Sequence, residues 1–79
     1  MRAEVSQKRI GTVLSVMTRE GIDCIMLNRS ASIHYLTGAS NTCSWIFIRR
    51  DGRRLALVLD SDLYLYRQQS TLTDIRSFN

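Results

Sequence analysis

The sequence predicts an α/β domain in three layers, a mixed β-sheet flanked by helices, and three observations carry that prediction. Ile10, Val13, Leu14 and Met17 recur at helical spacing and make one apolar stripe, with Glu4, Lys8 and Arg19 off it. Residues 22–27 form an apolar run interrupted only by Asp23, as suits a strand covered on both faces. Asp51-Gly52 between apolar runs is a strong short-range hairpin signal, so residues 55–59 should pair antiparallel with residues 45–49.

The remaining elements follow in order. Gly11 weakens the first helix by about 1 kcal/mol relative to alanine. Gly21 stands where a left-handed residue would end that helix. Ser30 is placed to cap a second helix of two turns or fewer, with Ile33 and Leu36 on one face and Gly38 at its end. Residues 39–44 read as a polar loop. Trp45-Ile46-Phe47-Ile48 reads as a buried strand by its aromatic and β-branched content. Asp60 or Ser61 is placed to cap a third helix over 62–69, before a last short strand around Ile75. The first strand and the hairpin are not expected to be consecutive neighbours without a crossover, which makes the sheet mixed.

A chain of 79 residues is one small domain or part of one. At this size a single core supplies roughly 3–5 kcal/mol, so a partner or a further domain would matter. A hydrophobic fraction of 44% argues against disorder. The net charge is +4, and Arg49, Arg50, Arg53 and Arg54 gather around Asp51-Gly52. Without interleaved aromatic residues this cluster reads as a solvated hairpin tip that protects a sheet edge, rather than as a nucleic-acid surface. Cys24, in the first strand, and Cys43, in a loop, do not make a disulfide framework. No apolar run has membrane-spanning length, and Gln7, Lys8 and Arg9 break the N-terminal segment before a signal sequence can form, so a cytoplasmic location is the expectation.

Few residues carry chemistry. The chain has one histidine, His34, and two glutamates, Glu4 and Glu20, expected on the exposed side of the first helix. Only Asp60-Ser61-Asp62 has chelating spacing, and no metal site is assigned. Asp60-Ser61-Asp62 after an apolar strand resembles the start of a haloacid-dehalogenase phosphatase motif, but Tyr64 stands where that motif needs threonine or valine. Helix capping by Asp60 is the preferred reading. His34 has no fixed carboxylate or nucleophile beside it, and nothing in the sequence joins it to Cys43. The Tyr35 ring is expected to pack while its hydroxyl bonds backbone.

Taken together, the helix, Gly21, the strand Asp23-Cys24-Ile25-Met26-Leu27, the element Tyr35-Leu36-Thr37-Gly38 and the Asp51-Gly52 hairpin resemble the N-terminal domain of the pita-bread metallopeptidases: creatinase, prolidase and aminopeptidase P. The resemblance covers nearly the whole chain, and residues 1–79 are expected to be a partial copy of that domain without the catalytic C-terminal domain. It implies a parent hydrolase, an Xaa-Pro dipeptidase or aminopeptidase. That parent would use two divalent ions (Mn, Co or Zn) held by two aspartates, a histidine and two glutamates of the absent domain. The implied partners are a second copy of the chain in a dimer, the catalytic domain and the parent's peptide substrate; the residues themselves point to no membrane and disfavour nucleic acid. Gly38 and Asp60 match structural motif positions, although Asp62 and Leu63 replace the arginine and tyrosine of the family's Asp-x-Arg-Tyr element, and Ala39 replaces its aromatic residue after glycine. By position, His34, Tyr35, Asn41 and Trp45 are the candidates for a substrate rim. A stand-alone interaction module of the same fold is the alternative, and a basic nucleic-acid-binding domain is a further one.

Overall fold

The structure, a computed structural model, describes residues 1–40, 42 and 44–79. Its elements are α1 (Ala3–Glu20), β1 (Cys24–Leu27), α2 (Ser30–Thr37), β2 (Ser44–Arg49), β3 (Arg54–Leu59), a 3₁₀ turn (Asp60–Asp62), α3 (Leu63–Gln69) and β4 (Ile75–Phe78). The stripe of α1 becomes core: Ile10 and Met17 are fully buried, and Val13 and Leu14 pack against the same cluster. Gly21 ends α1 at φ 68°, with its N–H on Thr18 O and the Ile22 N–H on Met17 O. Those two bonds make a Schellman motif, a geometry that glycine adopts without the strain a Cβ would add.

The strands lie in the order β1-β2-β3-β4. β1 pairs antiparallel with β2, and β2 with β3, while β3 pairs parallel with β4. The sheet is therefore mixed, but not for the expected reason. Its strands are consecutive neighbours, with β2 returning antiparallel beside β1, and the mixture arises at the β3–α3–β4 crossover.

Strand alternation divides the sheet into two unequal faces. Ser44, Ile46, Ile48, Ala56 and Val58 point to one face and are buried. Ile33 and Leu36 of α2, Tyr66 of α3 and the α1 stripe join them in one cluster. Trp45, Phe47, Leu55, Leu57 and Leu59 point to the other face and are half-buried, and Met26 there is 56% exposed. No helix among the described residues covers that face.

β1 departs from expectation. It is an edge strand with alternate residues exposed, so the run 22–27 is not covered on both faces, and Cys24 is exposed rather than buried. An apolar run reports composition; which neighbours cover it is decided by topology. The capping expectations also change. Ser30 is the first residue of α2 and Arg29 holds the cap position; Leu59 precedes the 3₁₀ turn, placing Asp60 inside it, and neither cap has a side-chain bond. Acidic Asp60 still sits in a first turn, where the helix dipole favours it.

The hairpin is where Asp51-Gly52 places it. Its turn is a three-residue loop: Gly52 N–H bonds Arg49 O at 2.9 Å, Gly52 has φ 94°, and Arg49 N–H bonds Arg53 O at 2.8 Å. Ion pairs tie Arg49 to Asp51 at 3.2 Å and Arg50 to Asp23 at 2.9 Å, all with exposed side chains. Such exposed pairs hold the tip with little effect on stability.

Candidate functional site

The sequence-based candidates lie in and after the Tyr35-Leu36-Thr37-Gly38 element, whose end is held by contacts from α1, from the end of α3 and from the chain N-terminus. Gly38 ends α2 at φ 85°, its N–H on His34 O at 2.9 Å. A Cβ at this position would lie 2.9 Å from Met1 Cβ and 3.1 Å from Gln69 O. Both the left-handed conformation and the close approach of other backbone thus require glycine. Beyond it, Ser40 N–H donates to Gln69 Oε1 at 2.8 Å.

A polar network holds the helix end. Ser6 Oγ, buried on α1, donates to Leu36 O at 2.6 Å, and Thr71 Oγ1 donates to Ser6 Oγ at 2.7 Å. Thr71 N–H donates to Thr37 O at 3.0 Å, and Thr37 Oγ1 donates to Ile33 O at 2.8 Å. The bonds to Leu36 O and Thr37 O satisfy carbonyls at the end of α2 that the helix itself leaves open. None of these partners was singled out from the sequence. One signal was available: Ser6 sits four residues before Ile10, on the apolar stripe, where a serine needs a buried acceptor.

Tyr66 lies beneath this network with no exposed surface. Burial pushes its phenol up, and the nearby Ser70 and Thr37 hydroxyls pull it partly back. Neither hydroxyl completes a hydrogen bond to Oη. Thr37 Oγ1 is turned to Ile33 O, and Ser70 Oγ accepts from Leu72 N–H at 3.0 Å.

The candidates do not converge. His34 is exposed on α2. Tyr35 is 55% exposed, its ring covered by the Arg9 guanidinium at 4.1 Å rather than by core, and its carbonyl accepts a bond from Arg9 at 2.7 Å. The expected packing of that ring is thus replaced by cation–π stacking at the surface. Trp45 points to the sheet face opposite the helices and is half-buried there, not a core residue. Asn41 and Cys43 lie outside the described residues. Val13, Ile25, Leu27, Ala31, Tyr35 and Leu36 line an apolar groove of about 410 Å³ between α1, α2 and β1.

Among the described residues no three His, Cys, Asp or Glu side chains gather where a metal could be held, so they do not fit the two-ion centre the resemblance implies. No helix among them is long and apolar enough to cross a membrane.

Comparison with known proteins places this arrangement. The family model for the creatinase/prolidase N-terminal domain matches residues 9–79. An Xaa-Pro aminopeptidase from Streptococcus pyogenes superposes with a TM-score of 0.86 at 22% identity, over 99% of this chain and 60% of that one. An aminopeptidase P (Xaa-Pro aminopeptidase) from Streptococcus thermophilus gives 0.80 at 24% identity, over 94% of this chain and 57% of its own. This chain thus spans about 60% of the structures it matches. No curated protein matches it significantly.

Proposed function

This chain belongs to the creatinase/prolidase N-terminal domain family, and from that membership we propose that it serves a cytoplasmic Xaa-Pro metallopeptidase as a non-catalytic N-terminal part. The family match over residues 9–79 carries the reading. In it, cleavage next to proline belongs to a further domain, where two divalent ions (Mn, Co or Zn) would supply an activated water. No residue of this chain is assigned to metal or to bond cleavage. Its own tasks are two: assembly with a second copy of itself, and narrowing the approach to the substrate site with the segment after Gly38. The bond from Ser40 N–H to Gln69, directly after Gly38, supports the second task, because an access rim works only if its base is held in place.

The experiment reads the coding sequence beyond Asn79 and assays the encoded protein on Xaa-Pro peptides of increasing length. A following domain with two aspartates, a histidine and two glutamates is expected. Trp45→Ala should raise KM for the longer peptides and leave kcat unchanged. A reading frame that closes near Asn79 would leave the alternative, a stand-alone interaction module, for which the bare apolar sheet face is the supporting observation.

A further inference from the structure

The free edge of β1 has the backbone pattern and charge placement to pair with itself. Asp23 O accepts the Arg50 N–H at 2.9 Å, so Asp23, Ile25 and Leu27 turn their backbone groups toward β2. By alternation Cys24, Met26 and then Asn28 turn theirs outward, where no strand of the described residues follows in the sheet. The extended course continues into Arg29, at φ −81° and ψ 131°.

We propose that two copies of this chain join their β1 edges antiparallel about a two-fold axis at Met26, making one continuous eight-stranded sheet from two four-stranded ones. This deepens the self-assembly part of the function proposed above and rests on it. In this register Met26 faces Met26 of the other copy and Cys24 faces Asn28, so all three outward-facing residues exchange N–H···O=C bonds. Facing residues share a sheet face, as antiparallel pairing requires. Ile25 then stands beside Leu27 of the other copy, and the two apolar grooves they floor come side by side. Charge selects this register. It sets Asp23, whose side chain is 87% exposed while bound to Arg50, opposite the exposed Arg29, and does so twice by symmetry. Moving the axis to Ile25 would set Asp23 opposite Leu27 and lose both pairs.

Sedimentation equilibrium of the chain and three variants tests this. Met26→Pro removes an N–H that points away from β2, so the monomer keeps its own ladder while the joint is blocked. It should associate at least tenfold more weakly than the parent chain, with an unchanged circular dichroism spectrum. Arg29→Glu should also weaken association about tenfold by setting two acids opposite each other, which is about 1.4 kcal/mol. The double variant Asp23→Arg/Arg29→Glu should restore it. A dimer indifferent to Met26→Pro, or no recovery in the double variant, overturns the β1 joint and leaves self-assembly standing through another surface, with Phe47→Asp then expected to dissociate it. A parent chain that stays monomeric at every concentration overturns both.

Discussion

The two faces of the sheet come from the same strands and differ by one residue in register, yet they are built to different degrees. On the helix side, Ile46, Ile48, Ala56 and Val58 lose all contact with water beneath α1, α2 and α3. On the other side Trp45, Phe47, Leu55 and Leu57 remain half-buried, with no helix of the described residues above them. Side-chain chemistry does not separate the faces; both are apolar. What separates them is whether the described residues supply a second layer, so stability should reside mainly on the covered face.

The largest effect should come from the closed face. Ile48→Ala leaves a cavity where neighbours can relax only partly, a loss of about 3 kcal/mol. Against a single-core stability of roughly 3–5 kcal/mol, that leaves about 0–2 kcal/mol, a marginal fold at room temperature. Urea denaturation followed by circular dichroism would show it as a collapsed or missing transition. Phe47→Ala, the neighbouring residue on the open face, should lower stability by about 1 kcal/mol or less, since little surrounds it to form a cavity. Equal losses at both positions would mean that the open face is covered in solution.

Gly38→Val comes next, at about 2 kcal/mol. Here two penalties combine, a left-handed φ of 85° and a Cβ 2.9 Å from Met1 Cβ. Gly52→Ala is the control that separates them. Its φ of 94° carries the same conformational strain, but nothing lies within 4 Å, so it should lose only about 1 kcal/mol. If the two variants have the same denaturation midpoint, the packing of Met1 and Gln69 on Gly38 contributes nothing.

Local chemistry was legible in the sequence, and tertiary partnership much less so. Gly21 and Gly38 are left-handed helix ends as expected, because φ preference is a property of the residue itself. Asp51-Gly52 located the hairpin and the antiparallel pairing of its two strands, while the register, with Trp45 beside Leu57, was set by a three-residue loop that the dipeptide alone does not specify. The same kind of reasoning misjudged the run 22–27, because its exposure depends on β1 ending the sheet, which no local pattern encodes. The bonds that close the end of α2 were hidden for a similar reason. Ser6 and Thr71, 65 positions apart, meet only once the helices are packed. Candidates chosen by their position along the chain, Tyr35 and Trp45, separate in space because α2 lies on the helix side of the sheet and Trp45 turns to the other.

The smallest effect at neutral pH belongs to Tyr66, the one phenol inside the closed face. Its Oη is buried without a completed hydrogen bond, whereas on the open face a hydroxyl could reach water. Removing it by Tyr66→Phe gives up no bond and keeps the ring, so stability at pH 7 should change by less than about 1 kcal/mol. The difference should emerge in alkali. Burial raises the folded-state pKa above the ordinary 10.0, so the folded protein holds the proton more tightly than the unfolded chain does. The stability tied to that group is complete below pH 10 and is lost as pH rises through the folded-state value. Tyr66→Phe should therefore track the parent chain through neutral pH and outlast it above pH 10, as read from the denaturation midpoint at stepped pH. Parallel losses in both proteins above pH 10 would show that Tyr66 ionises as freely folded as unfolded, and that the closed face admits water at its centre.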